Sequence, residues 1–536
     1  MASIQNDTKF LITADEAFPS MEELCLQARN KLQIALHVFS PRTKTRSAMS
    51  HSQGLQEWGD VLVDALQRGV KISLLLNDFD PVGAPHLHAS VWERITMLDE
   101  AVATLAPDKS GNLELLVAHP GGQTGALVRT ALWPFARREA QRIRGELMST
   151  GRALPPGLKA QVPFLPALRN FTQTLHQKFL IADGERAIVG GLDIDERRFD
   201  NTAHKLEAHE TWHDVSAEIC GQPAADLASH FNQVWRRVSA GGHTHAAAYL
   251  SDRPHCVLNF AVARRSKAVN GGEDLSNNRA SEPRIVRTLS SYGRSPVRFG
   301  PVRDVVTMEQ AHLDMIKQAS CYIYIENQFF RSSAIRDALA AELQAKPQLV
   351  AIVLLPGAPE EVAYQGDTSP VHRYGEWLQM RALNKLKAAF PERFLCFALT
   401  GEVKRTEVFD RDALFGKSMV YIHSKVLIVD DQHAIVSSAN LNGRSMAWDV
   451  EAGIAFNDAV EVSQLRRKLW KAHLGSDGAL LEPGADIHTS ARHWVETAIE
   501  RRDKGATGSA VGPVPFPFKK TRKFAKRHIL IPENMV

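Results

Sequence analysis

The sequence predicts an α/β fold built twice, each copy a mixed β-sheet flanked by helices. Three observations predict it. Apolar strand-like runs alternate with helix-like stretches, the same alternation recurs in both halves of the 536-residue chain, and each series closes on a short pattern, His-x-Lys-x4-Asp. In the first half LQIALHVF (Leu32 to Phe39) reads as a buried strand, followed by a helix-like stretch and a second strand, VKISLLL (Val70 to Leu76). A long excursion then carries GGQTG, the helix-like ALWPFARREAQRIRGEL (Ala131 to Leu147) and a proline-rich run, before HQKFLIAD brings His176, Lys178 and Asp183. The second half repeats the order with CYIYIENQFF (Cys321 to Phe330), LVAIVLL (Leu349 to Leu355), a shorter excursion, and HSKVLIVD with His423, Lys425 and Asp430. Each motif is followed by a turn of small residues, GGLD (Gly190 to Asp193) and SSAN (Ser437 to Asn440).

Between the halves RRSKAVNGGEDLSNNRASEP is polar and lacks apolar periodicity, as expected of a surface loop. The expected organisation is therefore an N-terminal half over 1–263, a linker over 264–283, a C-terminal half over 284–500 and a basic tail over 501–536. The tail interleaves Phe with Lys and Arg, and is expected to pack or be solvated at the surface.

Composition narrows the class. A hydrophobic share of 44% with 23% charged residues is that of a globular protein, and a net charge of +4 is a weak argument against nucleic acid as partner. The five cysteines are scattered without CxxC spacing, so neither a disulfide framework nor a zinc site is expected. The N-terminus lacks a Sec-type signal and no apolar run is long enough to span a bilayer. A soluble or peripheral protein is expected, cytoplasmic unless secreted by a route that needs no such signal.

The duplicated pattern points to phosphate chemistry. Residues i and i+2 of a strand share a face, so His176 projects with Lys178 and His423 with Lys425. Two imidazoles and two ammonium groups around one cavity supply a nucleophile, a proton donor and fixed charge for the non-bridging oxygens, with no metal or cofactor called for. Two like histidines must be told apart by their surroundings, and a carboxylate behind each ring is the usual device. Candidates are Asp214 in ETWHDVSAEI and Glu451 or Asp449 in MAWDVEAGIAF. The supports differ between the copies, GGLD with Asp214 in one and SSAN with Glu451 in the other. Asp183 and Asp430 stand an odd number of residues from the lysines, which gives them a structural or supporting place. Asn440 and Ser438 are candidates to bind phosphate, whereas an ionised Asp193 has no proton to donate.

These motifs resemble the phospholipase D superfamily. The resemblance extends from about Leu32 to Leu474 and includes IVGGLDIDERRFD, WHDV, IYIENQFF and SSANLNGRSM. It implies a pseudo-two-fold α/β fold with the active site at the interface of the halves, and a catalytic set of His176, Lys178, Asp183, His423, Lys425 and Asp430. It also implies a phosphohistidine intermediate, usually on the first-motif histidine. Ser437 departs from the family, whose second turn usually has Gly there. The expected activity is hydrolysis of the distal phosphodiester of a glycerophospholipid at a membrane surface, with water or a primary alcohol as acceptor and a monomer as the working unit. Alternatives are a phosphatidyltransferase of the cardiolipin synthase type, a nucleic-acid phosphodiesterase, and a lipid-binding relic without turnover.

Two further stretches carry competing readings. HETWH, with His209, Glu210 and His213, matches a zinc-protease motif, but that chemistry needs a helix and ETWHDVSAEI reads as a strand approached from a loop. A run of Glu326, Asn327 and Gln328 needs partners if buried, which points to the pocket, while Tyr324 reads as core.

Overall fold

The structure is a computed structural model, and it describes residues 8–149, 154–156, 171–261, 283–404, 411–475, 486–505, 511–529 and 531–536. The expected linker, 264–283, lies outside the described residues except for its last position. The first half holds β1 (Lys9–Ile12), β2 (Lys31–Leu36), β3 (Lys71–Asn77), β4 (Leu113–Ala118), β5 (Phe179–Ala182), β6 (Arg186–Gly190), β7 (Val215–Cys220) and β8 (Asn259–Phe260). The second holds β9 (Arg284–Ser291), β10 (Val302–Val306), β11 (Tyr322–Glu326), β12 (Val350–Leu354), β13 (Phe394–Lys404), β14 (Ala413–Leu414), β15 (Lys417–Val420), β16 (Val426–Val429), β17 (His433–Ser437), β18 (Glu451–Phe456) and β19 (Gly512–Pro515).

Strand order shows the repeat. The first sheet runs β1-β7-β6-β5-β2-β3-β4-β8, and the second runs β10-β9-β18-β17-β16-β11-β12-β13-β15-β14, with β19 on β13. In each, three parallel strands (β2, β3, β4 or β11, β12, β13) carry the motif strand (β5 or β16) antiparallel on one side. The parallel strands are connected through helices, such as Pro85–Val102 and Ser333–Ala345. Strands buried on both faces read as continuous apolar runs. Thus Ile34, Leu74, Leu115 and Leu180 face the core shared with helices Thr13–Gln27 and Trp58–Gln67. Ala35, Leu75, Leu116 and Phe179 face a second core that also takes in Tyr324, Ile352 and Ile428 of the other half. That shared core joins the two halves.

Two short parallel bridges fix how the halves meet. Leu175 pairs with Val450, and His213 pairs with Ile422. His176 N–H donates to Val450 O at 2.9 Å, and His423 N–H donates to His213 O at 2.8 Å. The segment approaching each motif is therefore laid beside the segment that begins the last core strand of the other half.

The chain end differs from a separate tail. Helix Ile487–Lys504 runs through the expected boundary at 500, and β19 pairs with β13 from Phe397↔Pro515 to Thr400↔Gly512. Val514 and Phe516 are buried. Their apolar side chains make residues 512–516 part of the second half, because burial of that surface outweighs the basic character of the neighbouring lysines and arginines.

Candidate active site

Both His-x-Lys segments lie in extended chain just before their strands, β5 and β16, not within them. His176 Nδ1 lies 3.0 Å from Glu451 Oε1, and His423 Nδ1 lies 2.7 Å from Asp214 Oδ2. The supports thus cross over: each imidazole leans on a carboxylate of the other half, not of its own. The cause is the pair of bridges. Val450 is held beside Leu175, which places the next residue, Glu451, at His176; His213 is held beside Ile422, which places Asp214 at His423. A carboxylate accepting from Nδ1–H selects the tautomer with a free Nε2. Among the described residues nothing hydrogen-bonds to Nε2 of either ring.

The lysines are almost fully buried and each Nζ donates to the backbone carbonyl of its own motif histidine, at 2.7 Å for Lys178 and with a close contact for Lys425. Burial, then the charges of Lys178 and Lys425, hold His176 well below the ordinary imidazole range. Burial and Lys425 do the same to His423, and the Lys178 charge reaches it too. Burial pushes the carboxyls up, Asp214 to about 6 and Glu451 to about 7, and pulls Lys425 down to about 7. Both rings, both lysines and both carboxylates form one coupled set.

The remaining expected residues separate into braces and a bare amide. Ser438 Oγ donates to Glu451 Oε2 at 2.5 Å, so it orients that carboxylate and is not presented to phosphate. Asp449 accepts from Thr174 N–H at 2.9 Å and from Arg444 at 3.1 Å, bracing the approach to His176 without touching its ring. Asn440 is buried and its Oδ1 has no partner among the described residues. The equivalent Asp193 accepts from His37 N–H and Val38 N–H at 2.9 Å each and lies 3.8 Å from Lys178 Nζ.

Asp183 and Asp430 stand away from the two His–Lys pairs, in the structural place their odd spacing suggests, which corrects the catalytic place that the resemblance gives them. Each lies five residues beyond its lysine, about 16 Å along extended chain. Asp183 accepts from the N–H groups of Arg29, Asn30 and Lys31, and Asp430 from those of Ser320, Cys321 and Tyr322. Both have left-handed backbone, φ 54° and 53°, a conformation Asp tolerates better than most residues. They turn the hairpin and tie it to the start of β2 or β11.

Ser437 at the turn is accommodated by its partner. It pairs with Gly453, where a Cβ would stand 2.3 Å from that of Ser437. In the first half Gly190 pairs with Ser216. Each half thus keeps one Gly and one Ser in this pair, on opposite strands.

His37, just past β2, was not singled out from sequence. Its ring centroid lies 4.9 Å from that of His176 and its Nδ1–H donates to Leu175 O at 2.9 Å. The available signal was a polar residue ending an apolar strand, at the position where the second half has Gln328. Trp212 is the counterpart across the site, 4.5 Å from the His423 ring and covered by the Arg198 guanidinium at 3.7 Å. Glu326 itself is core, not pocket: it accepts from His213, Ser424, Tyr324 and His473. His209 and Glu210 are exposed in a turn, so HETWH is not a helical zinc motif. A separate cavity of about 610 Å³ is lined by Trp92, Glu93, Tyr249 and Pro156 and holds none of the motif residues. No helix among the described residues is long and apolar enough to cross a membrane.

Known proteins share this arrangement of sequence. Residues 312–472 match the family described as "Cardiolipin synthase, PLD-like domain". "Phospholipase D1" of Saccharomyces cerevisiae is 24% identical over 543 residues, covering 93% of this chain and 30% of that protein. "Phospholipase D alpha 1" of Carica papaya is 24% identical over 416 residues, covering 58% of this chain and 50% of that protein. The chain therefore spans half or less of the length of these relatives. Among solved structures, phosphatidylserine synthase from Haemophilus influenzae aligns over 92% of this chain and 94% of its own, with 12% identity and a TM-score of 0.49. In its duplicated motifs and across these relatives, the chain is similar to the phospholipase D superfamily.

Proposed function

We propose that the chain is a phospholipase D, hydrolysing the distal phosphodiester of a glycerophospholipid to phosphatidate and the free headgroup alcohol. The observation that carries this reading is the crossed pair of His–carboxylate contacts. Each Nδ1–H is committed to a carboxylate, and both Nε2 atoms remain bare beside buried ammonium groups. His176 Nε2 attacks phosphorus, a P–N bond forms, and the P–O bond to the headgroup breaks. The ring becomes cationic, and the Glu451 carboxylate stabilises it. The departing oxygen takes its proton from His423, which the negative charge of the bound phosphate has protonated. Water then attacks phosphorus as His423 removes its proton, the P–N bond breaks, and His176 returns to the neutral tautomer. Lys178, Lys425 and Asn440 hold the non-bridging oxygens.

A covalent intermediate lets a primary alcohol replace water, giving a phosphatidyl alcohol. Every residue named belongs to one chain, so a monomer suffices, and the lipid is met at a membrane surface. Incubation with phosphatidylcholine vesicles and butanol is expected to yield phosphatidate and phosphatidylbutanol; absence of both products overturns the reading.

A further inference from the structure

A second histidine cluster lies two strands from His37, at the same edge of the first sheet, and the phosphoryl chemistry of the motif histidines does not use it. β3 ends at Asn77 and β4 at Ala118, so Asp78 and His119 leave the edge side by side, with Asp78 N–H donating to Ala118 O at 3.1 Å. His119 and His243 exchange two backbone hydrogen bonds, of 2.8 and 3.0 Å, which brings His245 alongside. Asp78 Oδ2 lies 2.8 Å from His245 Nδ1 and 3.6 Å from His119 Nε2. One ligand atom from each of the three residues lies within 4.8 Å of the others.

Two features separate this cluster from an ordinary hydrogen-bonded core. First, His119 is 1% exposed and its Nε2 has no hydrogen-bond partner, yet it faces the carboxylate from just beyond bonding distance. Ligand atoms around a tetrahedral zinc ion stand about 3.4 Å apart, so the 3.6 Å separation suits an ion between them, and the His245 contact need open only by about half an ångström. Second, the ligands are already oriented from outside. Asp78 Oδ1 accepts from His88 Nδ1–H at 2.6 Å, while His88 Nε2–H donates to Pro156 O at 2.6 Å. The His119 ring is stacked on Phe171, with centroids 3.9 Å apart. Outer hydrogen bonds of this kind fix the ligands of metal centres.

The other buried triad, His213, Glu326 and His473, gives the contrast. Both oxygens of Glu326 are filled, Oε2 by His213 and Ser424 and Oε1 by His473 and Tyr324. No ligand atom of that carboxylate is left for an ion.

We propose that Asp78, His119 and His245 form a site for a divalent transition-metal ion of the zinc class, with three protein ligands and one open coordination position. Two imidazoles and one carboxylate favour zinc-like ions over magnesium or calcium. On binding, the neutral His245 ring carries its proton on Nε2 in place of Nδ1, whose lone pair goes to the ion, and the ion ties the ends of β3 and β4 to the segment just beyond helix Gln222–Gly241. Asn77, the neighbour of Asp78, accepts from Leu175 N–H at 2.8 Å, so the ion also stiffens the approach to His176. The site stands whether or not the substrate is a lipid.

The test uses the full chain, stripped with chelator and dialysed against zinc chloride, with bound metal measured directly. One equivalent of zinc per chain is expected, and cobalt(II) in its place should show the visible absorption of a low-symmetry, four-coordinate site. His119→Gln and His245→Gln should each weaken zinc binding by more than about tenfold, while His473→Gln should leave it unchanged. Failure of the stripped wild-type chain to take up stoichiometric zinc overturns the proposal. So does uptake that His119→Gln and His245→Gln both leave intact. The cobalt spectrum of the unmutated chain decides the matter even where a variant fails to fold.

Discussion

The two halves present the same reacting groups with different surroundings. In the first, His176 meets Glu451, whose carboxylate is fixed by the Ser438 hydroxyl, and the His37 ring stands beside it. In the second, His423 meets the shorter Asp214, which takes Val215 N–H at 2.9 Å and rests on Gly191, where a Cβ would stand 2.3 Å from its Oδ1. Trp212 lies against that ring and is itself covered by the Arg198 guanidinium. Burial raises Glu451 to about 7 and Asp214 to about 6. The fourth turn residue is Asp193 in one half, bound to backbone and Lys178, and Asn440 in the other, with a bare oxygen. A duplicated strand supplies symmetric chemistry, and the residues behind it make the two copies unequal.

The largest effects should come from the rings. His176→Ala and His423→Ala are each expected to lower turnover by about 10³-fold or more. A phosphatidyl ester of p-nitrophenol separates their roles, because that leaving group departs without a proton. Burst release of nitrophenolate should recover in His423→Ala and not in His176→Ala; recovery in His176→Ala alone would reverse the assignment.

Next come the crossed carboxylates. Glu451→Gln and Asp214→Asn should each cost about 10²-fold or more, since an amide no longer enforces the Nδ1–H tautomer. The crossing predicts which variant resembles which. Asp214→Asn should recover with nitrophenol, as His423→Ala does, although Asp214 lies in the half of His176. If Glu451→Gln recovers instead, each carboxylate serves its own half.

Legibility followed the range of the interactions. The β-period placed His176 with Lys178, and apolar runs marked β2, β3, β11 and β12, because both signals are local. The crossing was not legible: it rests on two bridges, Leu175–Val450 and His213–Ile422, and joins side chains 275 and 209 residues apart. His37 looks like a core histidine until its neighbour in space is known. Ser437 looks like a defect until Gly453 is placed opposite it. β19 hides because Pro513 and Pro515 lack ladder donors, which suits an irregular margin of a sheet and not a readable strand.

A smaller effect concerns pH. The ascending limb of kcat/KM should follow ionisation of Asp214 and Glu451, raised by burial to about 6 and about 7. The descending limb should follow loss of the Lys425 proton, lowered by burial to about 7. The result is a narrow bell whose two apparent constants belong to the coupled set. Lys425→Arg keeps its charge at any working pH. It should move the alkaline limb up by at least about one pH unit and leave the acid limb in place, even as peak activity falls about tenfold through altered reach. An unmoved alkaline limb would show that another group titrates there.

The smallest effect on catalysis should come from the third residue of each motif. Asp183→Ala removes an acceptor for three backbone N–H groups and puts alanine at φ 54°. A stability loss of about 3 kcal/mol is expected in urea unfolding, from charge-assisted hydrogen bonds and left-handed backbone together. Turnover of the folded fraction should stay within about twofold, because the carboxylate lies about 16 Å along the chain from the lysine. Asp183→Asn should lose about half as much, since Asn keeps one oxygen acceptor and tolerates the turn. Burial alone would raise Asp183, but the three N–H groups outweigh it and hold the carboxyl below its ordinary range. The stabilisation is therefore complete above the ordinary carboxylate value and disappears as pH falls through the lower folded one, so wild type and Asp183→Ala should converge in acid. Asp430→Ala should match it at neutral pH, since it caps the start of β11 in the same way. A variant that keeps its stability but loses turnover would place its aspartate in the chemistry and set the two halves apart at a point where the backbone makes them alike.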